Sequence, residues 1–338
     1  MNARKARQTP NREPGLVSGW ARGKGARLLR PAHFLLPVLL AAWNGLHAAS
    51  PSQNLRVVQV TAAVDTGLET EEMAELRLAR RLCGASHVFG TTFGLRFDLQ
   101  RFVSWSPAPG RRPLPCLMME FLAEVEAGDA DLVIGLVSPD RSGSRSPGIA
   151  SYADGALLLQ DFDSDQLMTL VLVHELGHIF GAVDLSSGGS IMSATETRLD
   201  FDPFTSKIIM IHRSRAFGRA PRLLPDRDLY EALMTYRERA ALGLGEVELG
   251  LVLARAYLDW DARGCPLPEE ILGGAPCPAL DCVGEAVRQC EKSLTFRPEC
   301  PVAQHLMGVA LERAGDLERA QVCFKKALDL SAGSTVRR

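Results

Sequence analysis

Along residues 55–160, segments with the residue pattern of β-strands are followed by segments with the periodicity of helices. Residues 55–65 and 95–105 are rich in β-branched and aromatic side chains, which predicts strands. Between them, at 69–88, apolar residues recur every three or four positions, which predicts a helix. A short helix is predicted at 117–127 and a buried strand at 131–137. Residues 148–160 form a further strand, interrupted at Asp154-Gly155 by a turn or bulge.

A helix is predicted to begin at Asp163, a residue type that caps helix N-termini. Gln166 follows three residues later, which is the spacing of a capping box. The apolar residues after it share one helical face with His174 and His178. The order of strands and helices up to this point predicts an α/β fold with a mixed, twisted sheet.

The pattern becomes helical after Pro203, with a helix at 203–217 and a linker at 218–225 rich in Gly, Pro and Arg. Residues 226–334 are helical in pattern, and the first helix of an early repeat is expected at 246–260. We therefore divide the chain into 51–217 and 226–334, joined by that linker.

Residues 301–334 follow the 34-residue pattern of tetratricopeptide repeats. Gly308, Gly315, Ala320, Phe324 and Ala327 fall at its expected positions. A shift of 34 residues brings an earlier segment, 286–298, into register with them. The pattern therefore favours tetratricopeptide-like helical repeats over unrelated helical hairpins, and such repeats offer a surface for a protein partner.

His174 and His178 stand four residues apart, so both imidazoles leave the same side of the helix and can share one metal ion. Glu175 is offset around the helix, where it can reach a metal-bound water and act as a general base. Gly181 can adopt a positive φ and end the helix with a sharp turn. Asp184, three residues further, can then supply a carboxylate as the third ligand of Zn²⁺.

This stretch resembles the metzincin zinc-peptidase signature, H-E-x-x-H-x-x-G-x-x-H followed by a Met-turn. Ser190-Ile191-Met192-Ser193 looks like the Met-turn, and the resemblance implies that Met192 forms an apolar floor under zinc. It also implies that the edge strand Gly148 to Leu159 binds extended peptide. Two departures stand out: Asp184 replaces the third histidine, and no tyrosine closely follows Met192.

Other metal arrangements stay open. Glu196 is the nearest downstream glutamate for a gluzincin-type ligand set, and a helix with two histidines that bind nothing would also fit His174 and His178. The remaining histidines that we weighed, His87, His212 and His305, are assigned to core or surface positions.

Charge is uneven along the chain. Of the overall net charge of −2, residues 1–50 carry +7, so the rest carries −9, which argues against nucleic-acid binding. Residues 1–30 are basic, and an apolar run at 33–49 ends in small residues, as in a secretory signal or an uncleaved anchor. Pro37, Asn44 and His47 interrupt the run, which favours a cleaved signal over an uncleaved anchor. After cleavage, no stable membrane span is expected. An exported, secreted or periplasmic protein is therefore predicted.

Eight cysteines behind such a signal suggest disulfides. Cys83 and Cys116 are one candidate pair, and the six later cysteines allow 15 connectivities. Buried free thiols are the alternative. Because no CxxC occurs, a thiolate zinc site is not expected.

Taken together, these patterns predict an exported zinc endopeptidase that acts on protein or peptide substrates. The alternatives are a tetratricopeptide-type interaction protein with a degenerate or structural metal site, and an enzyme that cleaves only its own chain.

Overall fold

The computed structural model describes residues 55–68, 71–186, 189–193, 198–217, 223–243, 247–264 and 280–336. They all belong to one compact unit, Gln53–Arg338. The predicted signal or anchor, Cys265, Cys277, Glu196 and most of the linker lie outside the described residues. Among the described residues, no helix combines the length and apolar character needed to cross a membrane.

The first half is a mixed α/β arrangement built on a five-stranded sheet. Its elements are β1 (Arg56–Asp65), α1 (Glu71–Phe93), β2 (Leu95–Trp105), α2 (Leu114–Glu124), β3 (Leu132–Val137), β4 (Gly148–Ser151), β5 (Ala156–Gln160), α3 (Asp165–Ile179) and α4 (Pro203–His212). The strand order is β2-β1-β3-β5-β4. All neighbours are parallel except β4, the edge strand, which runs antiparallel to β5.

The sheet is covered on both faces, because its side chains alternate between two cores. On β1, Val58, Val60 and Ala62 face a core that α1 and α3 complete, whereas Ala63 faces a second core completed by α2. Such two-sided burial is why β3 is apolar throughout.

The helix that carries the two histidines is fixed at its start by ion pairs from α1. Asp161, at the end of β5, is buried and accepts hydrogen bonds from Arg77 and Arg81. Arg81 also donates to Asp165, the first residue of α3, at 3.2 Å. A fully buried guanidinium is stable only when paired, so this contact sets where α3 begins.

Helices make up the second half: α5 (Asp226–Ala241), α6 (Val247–Asp261), α7 (Cys282–Phe296), α8 (Pro301–Arg313) and α9 (Leu317–Val336). Gly308 on α8 lies directly against the ring of Phe324 on α9, since a Cβ there would come within 2.6 Å of it. Gly315 turns the chain between these helices with φ +80°. The small residues singled out in the sequence thus allow close helix packing.

Most predicted elements are confirmed within a few residues, including the turn at Asp154-Gly155, where Gly155 has φ +60°. The larger differences concern three helices. Helix α1 continues to Phe93, α2 lies three residues earlier than predicted at both ends, behind Pro113, and α4 ends at His212 instead of 217. Just beyond the end of α4, the side chains of Arg213 and Arg215 hydrogen-bond to backbone carbonyls elsewhere in the fold.

Two local predictions are wrong. Ser164, not Asp163, caps α3, because the Ser164 hydroxyl accepts from the backbone N–H of Leu167 at 3.3 Å. Asp163 instead faces solvent near Arg77. The Cys83–Cys116 pair is also absent, since both are free thiols on α1 and α2, which cover opposite faces of the sheet.

Candidate metal centre

Helix α3 presents His174, Glu175 and His178 in its last two turns, as the i, i+4 spacing requires. The helix then ends in a Schellman motif. The N–H of Ala182 donates to the carbonyl of Gly177, and that of Gly181 donates to the carbonyl of His178, both at 3.0 Å.

Gly181 is needed for two reasons at this turn. Its φ of +80° lies in the left-handed region, where a side chain is strained. A Cβ at Gly181 would also stand 2.5 Å from the imidazole of His212. His212 therefore packs directly under the turn and limits this position to glycine.

The turn brings Asp184 back to the histidines. The Nε2 atoms of His174 and His178 are 3.1 Å apart. The Oδ1 of Asp184 lies 3.3 Å from the first and 3.5 Å from the second. Tetrahedral zinc with ligands at about 2.0–2.2 Å separates its donor atoms by about 3.3–3.5 Å. Among the described residues, His174, His178 and Asp184 are the group whose ligand atoms converge in this way.

Each histidine is oriented by a backbone carbonyl. The Nδ1 of His174 lies 2.9 Å from the carbonyl of Ile191, and the Nδ1 of His178 lies 3.0 Å from that of Ala182. A ring that donates through Nδ1 presents an unprotonated Nε2, the form in which imidazole binds metals.

Met192 packs against the last turns of α3. It is fully buried, and its Sδ would be 2.6 Å from a Cβ on Gly177, the residue before His178. The chain around it forms a turn closed by the N–H of Ser193 and the carbonyl of Ser190. The same turn supplies the Ile191 carbonyl that holds His174.

Glu175 is buried beside the start of the edge strand. A Cβ on Gly148, the first residue of β4, would lie 2.6 Å from the Glu175 Oε1. Burial raises the pKa of the Glu175 carboxyl, which makes its carboxylate a stronger base than an exposed one. The sheet edge and the candidate base therefore meet at one point.

Glu248, at the start of α6, completes this region and was missed in the sequence. Its Oε2 accepts a hydrogen bond from the backbone N–H of Asp184 at 2.5 Å. Its Oε1 lies 3.8 Å from the Nδ1 of His178. The contact joins residues 64 positions apart, so no local sequence signal could have found it.

The electrostatics of the group favour a cation. Burial alone would lower the pKa of His178, but Asp184, Glu248 and Glu175 raise it to about 10. The pKa of His174 is raised for similar reasons, whereas burial of Asp184 is outweighed by both imidazoles, which lower its pKa. Three carboxylates therefore surround two imidazoles and create a negative potential that a divalent cation would neutralise.

His212 has a supporting role, as the sequence analysis assigned. Burial and the nearby Arg215 lower the pKa of His212 to about 3, so the ring is neutral at ordinary pH. The hydroxyls of Tyr152 and Tyr236 lie 3.2 and 3.3 Å from its two ring nitrogens. Tyr236 also donates to the carbonyl of Gly181 at 2.7 Å, which ties α5 to the turn.

A cavity of about 610 Å³ opens over His174, Glu175, His178 and Asp184. One wall comes from β4 and the residues after it, and the facing wall comes from α5, α6 and α8. The second half of the chain thus lines the candidate site.

Comparisons with known proteins identify no family: no family model matches the chain, and no curated protein matches it. Among solved structures, one described as a chaperone–substrate complex is 12% identical, covers 42% of this chain and 28% of that chain, and has a TM-score of 0.34. The crystal structure of MamA is 16% identical, covers 50% of this chain and 80% of that chain, and has a TM-score of 0.20. Similarities this weak carry no argument about fold or function.

Proposed function

We propose that this protein is a zinc-dependent endopeptidase of metzincin type, with His174, His178 and Asp184 as metal ligands and Glu175 as general base. The observation that carries the proposal is the convergence of three donor atoms at 3.1–3.5 Å beside a buried glutamate. These spacings fit tetrahedral zinc and leave a fourth position on the cavity side for water.

A bound zinc ion would lower the pKa of its water towards about 7 and polarise a substrate carbonyl. Glu175, with its raised pKa, is suited to take a proton from that water and to deliver it to the leaving amine. The backbone of β4 begins beside Glu175 and is the edge of the sheet, a position that suits an extended peptide. Peptide-bond hydrolysis is therefore the reaction that these residues support best.

A second candidate is a protein-interaction module of tetratricopeptide type, in which the metal site is degenerate or structural. It is favoured by the close packing of Gly308 on Phe324 and by the exposed apolar residues of α9, of which Leu328 is 72% exposed. An intact Glu175 favours the enzyme, because a purely structural zinc site needs no base at that position. The proposal also includes export of the protein and a protein partner that binds the helices of the second half.

The test is Glu175→Gln, measured against the surface variant Glu299→Gln with zinc content and cleavage of a peptide library as readouts. The amide cannot accept the proton, so we expect kcat to fall about 100- to 10,000-fold while zinc stays bound. Glu299→Gln should leave both readouts unchanged. Undiminished cleavage by Glu175→Gln, or a wild-type protein that binds zinc and cleaves nothing, would refute the enzyme.

A further inference from the structure

The wall of the cavity that faces β4 belongs to the helical half of the chain. Helix α5 contributes apolar lining residues to this wall, and further ones are Leu251 and Val252 on α6 and Val302 and Leu306 on α8. Val302 is 54% exposed, so its side chain is available to a ligand. Part of the apolar surface of this wall therefore stays exposed after the helices have packed.

Charged groups on this wall are paired. Arg255 and Asp259 on α6 line the same cavity and form an ion pair at 3.2 Å. The charges of this pair largely cancel. The other carboxylate that α6 contributes to the cavity, Glu248, lies at the candidate metal site, where it accepts from the backbone N–H of Asp184. On β4, Ile149 and Ala150 also line the cavity, and both residues are apolar.

The wall is fixed with respect to the candidate metal site. Helix α6 starts beside Glu248, which holds the backbone of Asp184. Helix α8 is joined to α6 where Arg313 donates to the carbonyl of Leu258 at 2.5 Å and pairs with Asp261 at 3.3 Å. These contacts tie α6 and α8 to the candidate metal site.

We propose that α6 and α8 form a substrate subsite for a large apolar side chain of an extended polypeptide segment next to the scissile bond. The proposal rests on the peptidase function above and adds its substrate class. The cavity of about 610 Å³ has room for a large side chain, and its apolar lining favours leucine- or phenylalanine-like side chains over charged ones.

Two exposed valines allow a matched test. Val302→Asp places a charge on the subsite wall, whereas Val322→Asp places the same charge on α9, where the valine is 66% exposed and does not line the cavity. The probes are fluorogenic peptides that differ at one position, Leu, Phe, Ala or Asp. We expect Val302→Asp to lower kcat/KM for the Leu and Phe peptides about 10-fold and to leave the Ala peptide nearly unchanged.

Val322→Asp should behave as wild type, and zinc content should be the same in all three proteins. Val252→Asp is a second variant on the same wall and should shift the preference in the same direction. Cleavage with an unchanged preference in both wall variants would overturn the subsite and leave the peptidase standing.

Binding measurements distinguish the apolar subsite from the peptidase function. Dissociation constants for the same peptides are measured in the Glu175→Gln background, where no turnover is needed. Preferential binding of the Leu peptide that Val302→Asp abolishes would support the subsite even if the wild type cleaves nothing. Absence of both cleavage and binding for every peptide would overturn the subsite together with the proposed function.

Discussion

The candidate metal site joins two regions that are held in place differently. His174 and His178 stand on one helix, and a backbone carbonyl lies within hydrogen-bond distance of each imidazole. Asp184 stands on the chain after the helix, its side chain is 62% exposed, and its backbone is held by Glu248 from a distant helix. The helix-borne half is thus specified locally, whereas the loop-borne half depends on the packing of the second half of the chain.

Removal of a metal ligand should lower zinc affinity, whether the ligand stands on the helix or on the loop. Four ligands share roughly 10–16 kcal/mol of zinc-binding free energy in structural sites, so losing one costs about 3–4 kcal/mol, or about 100- to 1,000-fold in affinity. We expect this loss for His178→Ala in a chelator-competition titration. Asp184→Asn keeps a neutral oxygen donor and should lose less. Equal zinc affinity in wild type and His178→Ala would contradict the assignment.

Gly181→Ala tests the turn that connects the two halves. The positive φ and the contact of a Cβ with His212 together should destabilise the fold by about 3 kcal/mol. Gly315→Ala is the matched control, because Gly315 has the same φ of +80° but nothing within 4 Å of a Cβ, and about 1 kcal/mol is expected. Equal losses in urea denaturation would show that the His212 contact is unimportant.

Glu248→Ala should affect only the loop-borne half of the site, because Glu248 holds the backbone of Asp184. Loss of a group that orients a ligand typically costs about 10-fold in metal affinity, and we expect that value by chelator competition. Glu248→Gln retains a side-chain oxygen that can accept from the Asp184 N–H, so it should lose less than Glu248→Ala. An unchanged affinity in Glu248→Ala would mean that α6 does not support the site.

A pH dependence of stability is expected from His212. Its folded-state pKa of about 3 is below the ordinary value of 6.5, so below pH 6.5 the unfolded chain binds a proton that the folded chain does not. The free energy of unfolding should therefore fall as pH drops towards 3, by about 1.4 kcal/mol per pH unit. Denaturation at pH 6.5 and 4.5 should show a weaker dependence for His212→Gln. The same slope in both proteins would contradict a buried neutral imidazole.

The predictable parts of the site are those with local causes. The i, i+4 histidines, Glu175 and the glycine turn follow from helix geometry, whereas Met192 was singled out only by the resemblance to a Met-turn. Glu248 and the apolar wall could not be anticipated, because they depend on how helices far along the chain pack. The choice between Asp163 and Ser164 as cap was equally unpredictable, since both side chains suit the position and only geometry separates them.

The fold shows the same division. Strand positions followed from runs of β-branched, aromatic and apolar residues, whereas the end of α4 had no local signal, and the chain after it is held by Arg213 and Arg215, which contact distant backbone carbonyls. The cysteine prediction failed for a related reason, because residue spacing does not reveal which face of a sheet a helix covers.

Zinc K-edge X-ray absorption of the zinc-loaded protein reports directly which atoms bind the metal ion. The ligand set of His174, His178, Asp184 and water predicts a first shell of nitrogen and oxygen at about 2.0–2.2 Å, with two imidazole scattering patterns. His178→Ala should remove one of those patterns. A sulfur shell at about 2.3 Å, or no stoichiometric zinc, would contradict the account.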